Sequence, residues 1–498
     1  MMRVLIISFL VLIALSGCKK GALLDNQVPD TKIYLDTIAL EGPDRLNSVV
    51  TLHWSGTDVD GFIKGYDLSF DGLTWFFTTR TDSTFIFSIS SGSDTADIPF
   101  YVRAVDNLGM ADPQPAYLNI PIRNTPPTIA FDQSKLAGDT VYSVASFIWN
   151  AEDIDGIETL DSVFIRINNG NWYGLPAEVS FLTLVPENPS QIGSTQAKVY
   201  RDEAGILQSA KADGLVVGGI NKVYVKVKDQ GNAFSPEDST PAFYVRPKTS
   251  DLLVIDAYKN SVSATQNPDL IYLDAIAGGY GAFDYMPVDS ASNLNVPVII
   301  TPTLFLMYSL YDKVVFYGDN VIYKNQLLIE ALSSVFKKYL DQGGKLLCIQ
   351  SFPRAYPELP SNASSNAYYF TLQSPVFEFS PMDSVSTYST NNAQARIPID
   401  SLLVPDPANA SAFPILKCSS TVTGADPFYA KANAEVLYNA QILRVNNWVG
   451  PNIAGARIRN LSGQTNQVFF SVELQNINGI SGSLQQLFTT ILSNEFNW

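Results

Sequence analysis

The stretch Trp54-Ser55-Gly56-Thr57-Asp58-Val59-Asp60-Gly61 returns, varied, as Trp149-Asn150-Ala151-Glu152-Asp153-Ile154-Asp155-Gly156. Two further echoes follow in the same order. Asp71-Gly72-Leu73-Thr74-Trp75 is matched by Asn169-Gly170-Asn171-Trp172. Tyr101-Val102-Arg103-Ala104-Val105-Asp106 with Gly109 is matched by Tyr224-Val225-Lys226-Val227-Lys228-Asp229 with Gly231. Three ordered matches mean that one structural plan is used twice. In the first copy Val50, Leu52 and Trp54 alternate with Thr51, His53 and Ser55, the period-two signature of a half-buried strand. Tyr66, Leu68 and Phe70 do the same ahead of the Asp71-Gly72 turn. Short strands separated by turns predict an antiparallel β-sandwich in each copy.

An early-strand tryptophan within this layout resembles fibronectin type III and related immunoglobulin-like modules of bacterial surface proteins. The resemblance spans about residues 28–247, as one module over 28–124 and another over 125–247. The link Arg123-Asn124-Thr125-Pro126-Pro127-Thr128 separates them, because paired prolines stiffen an extended connector. The second copy carries extra material between Trp172 and Lys222. Asp58 and Asp60, then Asp153 and Asp155, offer closely spaced hard oxygens of the kind that bind calcium, the cofactor these loops would take. No glutamate completes an EF-hand loop, and the same residues also suit a turn in which aspartate bonds the backbone. The pair Phe76-Phe77 would suit glycan contact, although its strand spacing points to the core.

From about Lys248 strands and helices alternate. Leu252 to Asp256 is a continuous apolar run of parallel-sheet type, and Phe283–Val288, Tyr311–Asp319 and Lys345–Gln350 are further strands. Leu328, Leu332, Val335, Phe336, Tyr339 and Leu340 share one helical stripe that stops at Gly343-Gly344. Val468–Val472 is a late strand, and Leu484 to Leu492 a closing helix. This predicts a doubly wound, flavodoxin-like α/β domain over 248–498, with a polar insertion near 355–410.

The run from Tyr311 through the helix to Gly343-Gly344-Lys345-Leu346-Leu347-Cys348-Ile349-Gln350 is similar to the class I glutamine amidotransferase-like fold. In catalytic members of that family, a cysteine on a strand-to-helix elbow is activated by a histidine that a glutamate orients. This chain has one histidine, His53, and it falls in the first sandwich. Cys348 also stands inside the strand, ahead of the elbow position that Gln350 or Ser351 would fill. The resemblance therefore implies the fold without the triad: no catalytic residue is assigned and Cys348 reads as core. Ser351 is the remaining candidate nucleophile and would need a lysine base, for which Lys345 is on the same strand. Asp256, Asp319 and Glu473 lie near strand ends, where α/β sheets bind ligands, and with Ser351 they form a candidate ligand site.

The N-terminus supplies an address. Met1-Met2-Arg3 precedes an apolar run from Val4 to Leu15, too short to span a bilayer but suited to a signal peptide. It ends in Leu15-Ser16-Gly17-Cys18, which resembles the bacterial lipobox. That resemblance implies cleavage after residue 17, acylation of Cys18 and a tether over 18–27. Lys19 and Lys20 replace the aspartate associated with inner-membrane retention, which favours the outer membrane. Cys348 and Cys418 remain, and their spacing does not decide whether they pair. No CxxC or Cys/His cluster suggests zinc. A net charge of −16 argues against nucleic-acid binding, which needs a basic face.

The expectation is a membrane-anchored cell-envelope lipoprotein resembling those of Bacteroidota, acting by binding or scaffolding with a protein or glycan partner. Two alternatives stand: an envelope hydrolase with a histidine-free site in the α/β domain, and a calcium-stiffened glycan-binding surface protein.

Overall fold

The computed structural model describes residues 25–34, 45–47, 49–87, 89, 95–154, 156–258, 267–290, 293–294, 296–297, 299–359, 368–387 and 393–497. Cys18 and Asp155 lie outside the described residues. The chain divides into two compact units. One holds the residues up to Thr128 with Ala151–Ser162 and Lys226–Pro236, the other Ile129–Asn150, Val163–Val225 and Glu237–Trp498.

The first repeat forms two antiparallel-built sheets. Asp30–Tyr34, Val49–Thr57 and Asp82–Ile86 make one; Ala116–Arg123, Thr95–Asp106, Ile63–Ser69 and Phe76–Thr78 make most of the other. The inward residues of the alternating pattern, among them Leu52, Trp54, Val102 and Ala104, form the core between them. The second repeat has a sheet of Ile206–Val217, Gly193–Arg201, Phe181–Pro186, Ala145–Glu152 and Thr128–Phe131, and a second sheet of four strands. The duplication is visible in one bond: the indole of Trp54 donates to the Arg80 carbonyl at 2.8 Å, and that of Trp149 to the Val179 carbonyl at 2.9 Å. Each buried tryptophan thus meets the hydrogen-bond demand of its N–H.

Phe76 and Phe77, placed in the core by their spacing, are instead 62% and 54% exposed. Among the described residues their strand is the edge of its sheet and pairs with Ile63–Ser69 alone.

In the α/β part, β1 (Leu252–Ala257), α1 (Pro268–Gly279), β2 (Asp284–Pro287), α2 (Thr303–Tyr308), β3 (Lys313–Gly318), α3 (Leu328–Asp341) and β4 (Lys345–Gln350) follow one another. Next come β5 (Leu402–Pro405), β6 (Ala434–Ala440), β7 (Ile453–Arg459), β8 (Thr465–Phe470) and α4 (Ser483–Thr489). The sheet order is β2-β1-β3-β4-β8-β7-β6-β5, ending on Leu416–Lys417. The first five strands are parallel, as the unbroken apolar runs require when both faces are covered. From β8 onward the pairing is antiparallel, so the sheet is mixed. β5 falls inside the stretch that reads as a polar insertion.

Side chains alternate between two cores. Leu253, Ile255, Phe316, Leu346 and Cys348 face α2 and α3, whereas Leu252, Val254, Val315, Leu347 and Ile349 face α1 and α4. Val144 and Val185 of the second sandwich belong to the same buried cluster as Leu253, Met286, Leu304 and Met307. The second sandwich and this sheet therefore share a core.

Candidate functional site

Register places the predicted strand-end residues on one edge. Ala257 pairs with Gly318, Gly318 with Gln350, and Ile349 with Phe470, so the carboxyl ends of β1, β3, β4 and β8 finish level. β1 is followed by β2 on one side and β3 on the other, which makes the β1/β3 boundary the switch point where such sheets open a crevice.

Two linked clusters occupy this edge. In the first, Glu473 accepts hydrogen bonds from the Ser351 and Tyr258 hydroxyls and from the Asn476 amide, the last at 2.6 Å. Gln475 braces it: its side-chain amide donates to the Tyr258 oxygen at 2.9 Å, and its side-chain carbonyl accepts from Tyr272 at 2.6 Å. Burial raises the Glu473 pKa, and these bonds oppose the rise. Asp319 adds its charge beside Tyr258, whose own pKa is raised chiefly by burial. The Asp319 carbonyl is held by the Gln350 amide at 2.8 Å.

In the second cluster Asp256, only 3% exposed, accepts from the Tyr285 hydroxyl at 2.6 Å and from the Tyr258 backbone N–H at 3.0 Å. Burial pushes its pKa up to about 7, assisted by the neighbouring Asp269 carboxyl. Asp269 sits in the first turn of α1, where Asn267 caps its backbone N–H at 3.1 Å. Tyr258 joins the two clusters through its backbone and its hydroxyl. Two carboxyls that burial drives toward the neutral form, flanked by phenols and carboxamides, can both donate to and accept from a hydroxyl-rich ligand.

Ser351, Asp319 and Glu473 are thus brought together, and Asp256 stands one strand away. The sequence reasoning missed Tyr258, Asp269 and Gln475. Tyr258 was findable as the residue that leaves β1. Asp426 was not: the Asp426 carboxyl is pushed up by burial and then by Glu473, yet it is far off in sequence. Lys345 does not serve Ser351. It begins the strand that Ser351 follows, and its ammonium is 3.1 Å from the Asp312 carboxylate.

Cys348 is 0% exposed, and burial alone pushes its thiol well above the ordinary range. Cys348 and Cys418 are both free. In the repeated loops, Asp58 accepts from the Asp60 N–H at 3.3 Å, Asp60 from the Gln27 N–H at 3.1 Å, and Asp153 from the Thr159 hydroxyl at 2.9 Å. The first is a local turn bond, the second ties its loop to a segment 33 residues earlier in the chain, and the third reaches six residues ahead. Among the described residues, no group of three or more His, Cys, Asp or Glu is placed to hold a metal ion.

No protein-family model matches the chain, and no curated protein matches it. Among solved structures, it is similar to fibronectin(III)-like modules of Clostridium thermocellum CbhA, at 13% identity over 43% of this chain and 94% of that one, with a TM-score of 0.18. The PKD1 domain of Vibrio anguillarum Epp matches at 14% identity over 19% of this chain and 96% of its own, TM-score 0.15. A tetra-tandem repeat from a large adhesion protein matches at 13% identity over 43% and 49%, TM-score 0.19. The β-sandwich architecture itself rests on the strand pairing described above.

Proposed function

We propose that this chain is a lipid-anchored cell-envelope protein that acts by binding, and that the strand-end edge of its α/β domain receives a hydroxyl-rich ligand, a glycan. The arrangement around Tyr258 carries the reading: phenol, carboxamide and carboxyl groups converge there with no imidazole or reactive thiol among them. The anchor rests on Leu15-Ser16-Gly17-Cys18 and its apolar leader. The family resemblance of the α/β domain to class I amidotransferases is part of the same proposal, with the triad lost.

The test has two arms. Radiolabelled palmitate should enter the wild-type chain and not Cys18→Ala; equal labelling of both would remove the anchor. On an array of envelope polysaccharides the full chain should bind, and Glu473→Gln should lose at least about tenfold in affinity, equivalent to ~1.4 kcal/mol. No difference between the two would reject the site.

One observation favours a second reading. Ser351 donates its hydroxyl to Glu473, a carboxyl with a raised pKa, which is a geometry for general-base activation. Covalent labelling of Ser351 by a fluorophosphonate would make the chain a hydrolase instead.

A further inference from the structure

A cavity of about 630 Å³ opens inside the larger unit, beside the edge strand β2. Its walls come from the Lys135–Ser146 arm of the second sandwich, Arg246, Met286 and Pro287 of β2, and Thr303 and Met307 of α2. The volume lies in the range of small-molecule sites. Its polar interior is already satisfied: the Ser146 hydroxyl is 2.7 Å from that of Thr183 and 2.6 Å from that of Thr303. The rest of the wall mixes polar surface with an aliphatic and thioether patch of Val144, Met286, Val296 and Met307, and Tyr142 is its one aromatic ring among the described residues.

Charge is placed at one point. The Arg246 guanidinium rests 5.0 Å over the Tyr142 ring and donates to the Tyr142 hydroxyl at 3.2 Å and the Tyr285 carbonyl at 3.3 Å. Both acceptors are neutral and both bonds are long. Among the described residues Arg246 has no carboxylate partner, although a guanidinium offers five donors in a fork that suits a carboxylate. The remaining charged lining groups among the described residues are Lys135 and Asp139.

We infer that this cavity binds a monoanionic amphiphile of the fatty-acid class, its carboxylate on Arg246 and its acyl chain against Met286, Val296, Val144 and Met307. Flexible methionines accommodate a chain of variable conformation, and a guanidinium held by stacking is preorganised for a bidentate contact.

The experiment uses the full chain carrying Cys18→Ala, so that no detergent is needed, and sodium dodecanoate below its micelle concentration in a calorimeter. The expected result is saturable one-to-one binding. Arg246→Gln, at an exposed position that leaves the fold intact, should weaken it by about tenfold or more. Met307→Trp, which fills the cavity, should abolish it. Dodecyltrimethylammonium, with the same chain and the opposite charge, should not bind. Absence of dodecanoate binding, or equal affinity of the Arg246→Gln variant or of the cationic amphiphile, would overturn the inference. Retention of dodecanoate binding alongside loss of glycan binding in Glu473→Gln keeps the two sites separable.

Discussion

The hydroxyls of Ser146 and Thr303 lie 2.6 Å apart although 157 residues separate them in the chain. One belongs to a strand of the second sandwich and the other begins a helix of the α/β sheet. With the Thr183 hydroxyl 2.7 Å from Ser146, they form a buried polar chain beside a shared apolar core that includes Val144, Val185, Leu304 and Met307. Elements that share a core unfold together. Ser146→Ala leaves two buried hydroxyls short of a partner and should cost about 1–3 kcal/mol. Native-state hydrogen exchange should show Phe181–Pro186 and Leu252–Ala257 opening at one free energy, lowered equally by the substitution. A loss confined to the sandwich strand would contradict a shared core.

Asp256 makes stability fall with rising pH. Its folded pKa, pushed up to about 7, exceeds the ordinary aspartate value of about 3.9. Below that ordinary value the carboxyl is protonated in both states and contributes nothing. Between about 4 and 7 the folded chain keeps a proton that the unfolded chain has released, so stability declines as pH rises, and above 7 the loss is complete. The upper limit is roughly 4 kcal/mol, at ~1.4 kcal/mol per pH unit. Asp256→Asn keeps an acceptor for Tyr285 and stays neutral. Urea unfolding at pH 4.5, 6 and 8 should therefore show a shallower slope in the variant and higher stability at pH 8.

Adjacent glycines after α3 answer different demands. Gly343 has φ of +90° and bonds its N–H to the Leu340 carbonyl at 3.0 Å, while the Gly344 N–H reaches the Tyr339 carbonyl at 3.0 Å. This is the Schellman ending. A Cβ on Gly343 would meet nothing, so Gly343→Ala should cost only the left-handed backbone penalty, about 1–2 kcal/mol. A Cβ on Gly344 would stand 2.4 Å from the Tyr339 ring, which cannot swing aside because its hydroxyl donates to the Tyr311 carbonyl at 3.0 Å. Thermal unfolding should rank Gly344→Ala as the more damaging change.

Local pattern carried much of this fold. The tryptophan repeat located two sandwiches, and the apolar runs located β1, β3 and β4 and the edge where their carboxyl ends finish. Phe76 and Phe77 were misplaced because spacing cannot distinguish an edge strand from a covered one. The antiparallel half of the sheet was hidden because its strands are bulged, as at Val436 to Asn439, which interrupts the alternation a strand would show. Val144 and Val185 look like ordinary sandwich residues until α2 is packed beside them. Ser351 and Glu473 were both singled out, but their hydrogen bond through the level ends of β4 and β8 depends on register. Asp426 approaches Glu473 from another part of the chain, a long-range convergence that no local motif announces.

Cys348 should be chemically silent. It is fully buried in the face of β4 toward α3, with its thiol pKa raised by burial, and Cys418 is likewise pushed up to about 11. A thiolate is the reactive species, so neither residue should react with a disulfide reagent such as Ellman's reagent in the folded chain at pH 8. Both should react once urea unfolds it. Cys348→Ala should lose about 1–2 kcal/mol of stability through the vacated volume, with glycan affinity unchanged. Rapid native labelling of Cys348, or an envelope amidase activity lost in Cys348→Ala, would restore the cysteine to a catalytic role and remove the binding-only reading.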